Sequence, residues 1–80
     1  MKAIVTVGLR PGVLDAQGKA VATALKGLGF GDVESARVGK VIELDIPGLD
    51  PNTAEAQVRE MCEKLLANTV IESYRIDITP

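Results

Sequence analysis

Cys62-Glu63-Lys64-Leu65-Leu66-Ala67-Asn68-Thr69-Val70-Ile71-Glu72 is the stretch from which the fold is read. Helical spacing runs into it and strand alternation runs out of it, with a junction of about two residues between them. It carries no catalytic group and reads as a docking element. Backward from it, Ala54, Val58, Met61, Cys62, Leu65 and Thr69 recur at i, i+4, i+7, i+8, i+11 and i+15, which is one buried stripe on a helix. That helix follows the turn cluster Pro47-Gly48-Leu49-Asp50-Pro51, with Asn52 as its cap and Glu55 three residues on, as in a capping box. Forward from it, Asn68 tolerates a left-handed residue at the helix end. Val70 to Ile78 then forms a last strand with Tyr74, Ile76 and Ile78 on one side.

The N-terminal half has the same grammar. Ala3, Val5, Val7 and Leu9 share one face of an opening strand, with Lys2, Thr6 and Arg10 opposite, and Pro11-Gly12 breaks it. Asp15 is placed to cap a helix whose apolar positions Leu14, Val21, Leu25 and Leu28 keep helical spacing, and Gly27, Gly29 and Gly31 loosen the chain at its end. Gly18 weakens that helix by about 1 kcal/mol relative to Ala and leaves room for a close backbone contact.

Between the halves, Ala36, Val38, Ile42, Leu44 and Ile46 are all even-numbered, straight through Gly39-Lys40. A two-residue hairpin would reverse that parity. Residues 33–46 therefore form either a hairpin with a three-residue loop and a bulge at Gly39, or one bent strand of roughly 45 Å at about 3.3 Å per residue. The ends of so long a strand need another chain to pair with, which makes a dimer its natural consequence. The order is β-α-β(-β)-α-β: an α+β fold, a two-layer sandwich related to the ferredoxin-like class with a long or bulged middle strand.

Composition sets the limits. Eighty residues make one domain, 1–80, whose own core is marginal at this size. Hydrophobic residues are 46% of the chain, yet Phe30 and Tyr74 are its only aromatics, so Val, Ile, Leu and Ala fill the core. Nine basic and eleven acidic residues, net charge -2, are dispersed without a basic tract. Nucleic acid binding needs clustered cations or stacking aromatics, so it is set aside as a partner. Met1 to Val7 alternates like a strand, and no run approaches the 18 or so apolar residues of a membrane span, so a soluble cytoplasmic protein is expected. The single cysteine agrees with a reducing compartment.

Candidate chemistry is sparse. Cys62 lies in the apolar stripe beside Glu63, in a chain with no histidine to activate it, and reads as a core residue. Gly27-Leu28-Gly29-Phe30-Gly31 follows a helix instead of opening one, so it lacks the helix N-terminus that a phosphate loop uses. Glu43 and Asp45 share a strand face but are too few for an oxygen-ligand cation site. Ser35 and Ser73 have no base. Arg37 and Lys40 flank Gly39 and are either solvated charges at a strand bend or contacts to an acidic or phosphorylated partner surface.

Three segments, Val13-Leu14-Asp15-Ala16-Gln17-Gly18-Lys19-Ala20-Val21, Arg37-Val38-Gly39-Lys40 and Cys62 through Tyr74, together resemble the PurS family, the small subunit of bacterial and archaeal phosphoribosylformylglycinamidine (FGAM) synthase. The likeness spans nearly the whole chain; Ala16 departs from it, standing where the family typically has proline. The resemblance implies a role in the fourth step of purine synthesis, conversion of formylglycinamide ribonucleotide to its amidine with ATP and glutamine-derived ammonia. It implies a non-catalytic assembly subunit, usually a homodimer, bridging a large synthetase subunit and a glutaminase with a Cys-His-type site. No cofactor is expected on this chain; ATP and Mg belong to the large subunit. The partner-interface candidates are Asp15, Gln17, Arg37, Gly39, Lys40 and Asn68, with no catalytic or metal residue among them. Two other readings are a free-standing regulatory domain that binds a small metabolite and an acylphosphatase-type enzyme, for which Gly8-Leu9-Arg10-Pro11-Gly12 offers only one arginine.

Overall fold

In the computed structural model, which describes residues 1–48 and 50–79, strand β1 (Lys2–Leu9) is the centre of a three-stranded sheet. Strand β2 (Lys40–Asp45) and strand β3 (Glu72–Thr79) flank it, both antiparallel, in the order β2-β1-β3. The parity of the sequence decides what faces inward. Leu44, Ala3 and Ile78 form one row across the sheet, Ile42, Val5 and Ile76 the next, and Val7 and Tyr74 continue the pattern beside Lys40. Their odd-numbered neighbours on the outer strands stay exposed.

Helix α2 (Pro51–Met61) lies over that inner face. Ala54, Val58 and Cys62 are fully buried, and Val58 and Cys62 pack with Ala3, Val5 and Val7, so small side chains meet small side chains. Ile42, Leu44, Ile46, Leu66, Tyr74, Ile76 and Ile78 close the sides of this core. The helix is capped two residues earlier than expected. Asp50, not Asn52, is the N-cap: its carboxylate accepts the Thr53 N–H at 3.0 Å and the Thr53 hydroxyl at 2.7 Å. The reason is Pro51, which lacks an N–H to satisfy and has φ preset for the first helical position. Leu49 of the same turn cluster lies outside the described residues.

The helix does not end as a regular one. Cys62–Leu66 is a π turn, in which the Ala67 N–H reaches back five residues to the Cys62 carbonyl at 3.1 Å. Leu66 packs on the core while Leu65, expected in the buried stripe, is 82% exposed. Asn68 is not left-handed, since among the described residues only Gly12, Gly29 and Gly48 have positive φ. Ala67 leaves the helix in extended conformation instead, and five residues, 67–71, separate the helical segment from β3. Asn68 builds that turn: its side-chain oxygen accepts the Val70 N–H at 3.2 Å and its carbonyl accepts from Ile71 and Glu72.

Helix α1 (Ala16–Gly27) stands apart from the sheet, with no extensive contact to any strand or to α2. Residues 33–39 are not in a strand, so the middle segment is neither a hairpin nor a fourteen-residue strand within the chain; pairing begins at Lys40 opposite Val7. The result is an elongated molecule of 49 × 25 × 14 Å. Its radius of gyration is 16.0 Å against about 12 Å for a compact chain of this length. The accessible surface is 5610 Å², roughly 1000 Å² more than the ~4600 Å² of a typical monomer of this mass.

Candidate partner interface

The segment between β1 and α1 and the segment before β2 are fastened to each other by polar bonds. Asp15 caps α1: one carboxylate oxygen accepts the Gly18 N–H at 2.7 Å, and the other accepts the Val38 N–H at 2.9 Å. The Val38 and Gly18 N–H bonds, with the Arg37 guanidinium nearby, hold the Asp15 carboxyl below its ordinary range. Arg37 donates to the Leu9 carbonyl at 3.0 Å and the Arg10 carbonyl at 3.2 Å. Two glycines let the backbones meet. A Cβ on Gly18 would collide with the Ala36 carbonyl oxygen, and one on Gly39 would come within 2.5 Å of the Val7 carbonyl oxygen. The close contact expected of Gly18 is thus present, while Gly39 serves a close approach.

Arg10 fastens the other side of the same strand end. Its guanidinium donates to the Thr69 carbonyl at 3.2 and 3.0 Å, and its N–H donates to the Ile71 carbonyl at 2.8 Å. The end of β1 therefore gathers most of the candidate residues. Asp15, Arg37 and Gly39 lie in the clamp, Lys40 opens β2 with its side chain exposed, and Asn68 sits in the turn that Arg10 holds. Asn68 also donates its N–H to Glu72 at 2.6 Å. Gln17 lies apart, exposed on the first turn of α1. Arg37, Asp15 and Asn68 are thus tied within the chain, and only Gln17 and Lys40 are free to reach outward among the described contacts.

What the residue pattern did not single out is an apolar surface. Leu14, Leu28 and Phe30 are 81%, 74% and 59% exposed, and Val21 is exposed beside them on α1, whose buried residues are only Gly18 and Ala22. Helical spacing predicts Leu14, Val21, Leu25 and Leu28 as a buried face, and only Leu25 is half-buried within this chain. An open cleft of about 420 Å³ runs between α1 and residues 34–37, with Lys19, Thr23, Lys26, Glu34 and Ser35 on its walls. A second, of similar size, lies on the outer side of α2, where Met61 and Leu65 sit between the ion-paired Glu60 and Lys64.

Cys62 is sealed in the core, where burial, with Glu63 adding repulsion, pushes its thiol up. The Tyr74 hydroxyl donates to Glu63 at 2.8 Å, which raises its pKa, and the Arg59 guanidinium is bonded to Glu55 at 2.9 Å. Among the described residues no three His, Cys, Asp or Glu side chains cluster to hold a metal ion. No described helix is long and apolar enough to cross a membrane.

Comparison with known proteins agrees with this geometry. Residues 2–80 match the family model for PurS, phosphoribosylformylglycinamidine (FGAM) synthase. A phosphoribosylformylglycinamidine synthase subunit PurS of Synechocystis is 51% identical over 73 residues, 91% of this chain and 73% of the relative. The solved structure of Bacillus subtilis PurS superposes with a TM-score of 0.89 at 47% identity, covering 99% of this chain and 98% of that one. A chain of the PurLQS structure from Thermotoga maritima gives 0.86 at 30% identity, covering 95% and 93%.

Proposed function

The chain belongs to the PurS family, and from that membership we propose that it works as the small, non-catalytic subunit of an FGAM synthase, a ligase of purine biosynthesis, holding the other subunits in register. The large synthetase subunit carries ATP, Mg and the formylglycinamide ribonucleotide, and a glutaminase subunit supplies ammonia. Ammonia set free in bulk water is diluted at once, so a rigid part that keeps source and acceptor side by side raises the rate without touching either reaction. The reading places the chain in the cytoplasm with those partners.

The observation that carries an assembly role is the uncovered surface. A monomer of this size with about 1000 Å² of excess surface, and with Leu14, Val21, Leu28 and Phe30 exposed on α1 and its flanks, has enough uncovered area for the roughly 800 Å² that each partner contributes to a stable interface. A second copy of this chain is the proposed occupant. Residues 33–39, whose inward residues Ala36 and Val38 keep the parity of β2, can continue that strand against the other copy, which is how the long middle strand acquires its pairing. Sedimentation of the purified chain should give twice the mass of one chain.

Reconstitution tests the larger claim. Glutamine-dependent amidine formation by the synthetase and glutaminase should fall by on the order of tenfold or more when this chain is left out. The rate with added ammonium salt, which needs no transfer between subunits, should fall much less. Equal glutamine-dependent rates with and without the chain would remove the proposal.

A further inference from the structure

Helix α1 is poorly equipped to stand alone. It has twelve residues, a length at which isolated helices are marginal in water, and it contains Gly18 internally and Gly27 at its end. Most helices in proteins draw their stability from burying an apolar face, but α1 buries only Gly18 and Ala22, which have almost no side chain to bury. Leu14, Leu28 and Phe30 stand in solvent. What fastens α1 is polar and local: Asp15 to Gly18 and Val38, and Arg37 to the Leu9 and Arg10 carbonyls. The four Arg37 and Asp15 bonds join α1 and residues 36–38 to the end of β1, while the sheet and α2 have a core that does not include α1.

We infer that α1 and residues 33–39 form a folding unit separate from the sheet and α2, and that this unit becomes ordered when a second copy covers the Leu14, Val21, Leu28 and Phe30 surface. The inference rests on the dimer proposed above and adds to it that association and folding of α1 are one event. The sheet with α2 is the permanent part of the subunit; the α1 unit is completed on assembly, so its contacts with other subunits exist only in the associated form. Coupled ordering of this kind lowers net affinity because part of the contact free energy goes into fixing the backbone.

Hydrogen exchange on the full-length chain, with mass measured by sedimentation at the same concentrations, tests it. On dilution into the monomer, α1 amides should lose at least about tenfold in protection while β1, β3 and α2 amides keep theirs. Helical ellipticity should fall by close to two fifths, the share of α1 among the helical residues. The variant Val21→Glu should reach the same state at concentrations where the parent is dimeric. Glu has a higher helix propensity than Val, so a loss of α1 protection there reports lost association and not a weaker helix. Equal α1 protection in monomer and dimer overturns the inference and leaves the dimer standing. Loss of protection throughout the chain on dilution overturns it too, because the α1 unit would not be separable. A chain that sediments as a monomer at every concentration removes the dimer and the inference together.

Discussion

Helices α1 and α2 are alike in length, amphipathic in pattern and each preceded by a turn containing glycine and proline, but α2 and the π turn after it place Ala54, Val58 and Cys62 at full burial while α1 places only a glycine and an alanine inside. Amphipathic spacing states that a face is to be covered; it does not state by which chain. For α2 the cover is the sheet of its own chain. For α1 the cover is missing, and polar bonds hold the helix in place where apolar packing does so for α2. The two regions therefore should respond differently to substitution, pH and concentration.

The largest contrast comes from the sheet side. Val5→Asp would bury an unpaired carboxylate at a position of 0% exposure and should abolish the cooperative thermal transition followed by circular dichroism. Gly18→Val should act on the α1 unit: its Cβ meets the Ala36 carbonyl and the Asp15 carboxylate, so we expect a loss of at least about 2 kcal/mol there, seen as fast exchange of α1 amides and weakened self-association. Slow exchange of α1 in that variant would show the close approach to be dispensable.

A paired substitution sharpens the view of α2. Leu66→Ala should lower stability to urea by about 1–2 kcal/mol, less than a fully buried leucine because Leu66 is half-buried, whereas Leu65→Ala should stay within about 0.5 kcal/mol. Equal costs would mean that the π turn does not set which leucine faces the core.

Acid provides a gentler test of the α1 clamp. Asp15 is held below its ordinary value of 3.8 by the Val38 and Gly18 N–H bonds. A carboxylate lowered in the folded form contributes stability above its unfolded pKa and loses it as pH falls through the lower folded value. Exchange protection of α1 should accordingly be flat down to pH values near the ordinary carboxylate range and decline below it, and Asp15→Asn should flatten that decline. Smallest of all, Lys40→Glu should leave stability within about 0.5 kcal/mol, since the side chain is exposed on β2, yet weaken complex assembly if the lysine meets an acidic partner surface. Arg37→Glu is a poorer probe because it also cuts the bonds to Leu9 and Arg10.

Side-chain alternation made much of this legible from residues alone. The even-numbered apolar residues Ala36, Val38, Ile42, Leu44 and Ile46 are half-buried, the β1 face is as expected, and Val58 and Cys62 lie in the core with it. Asp15 caps as its position required. Misread features share a cause: each turns on a local backbone choice that residue type constrains only weakly. Asp50 and Asn52 are both good caps, and Pro51 between them decides. Leu65 and Leu66 are interchangeable by composition, and one widened turn selects between them. Of the interface candidates, Asp15, Arg37 and Asn68 have internal partners while Gln17 and Lys40 do not, and the apolar residues on and beside α1 follow a core pattern for which this chain provides no core.

Cys62 gives the molecule a built-in clock. It is the only thiol in the chain and is at 0% exposure where the π turn packs on the sheet, so a thiol reagent in solution can reach it only when the packing of α2 and the π turn on the sheet opens. Its labelling rate therefore counts openings of that one interface, with no engineered probe and no contribution from movements of α1.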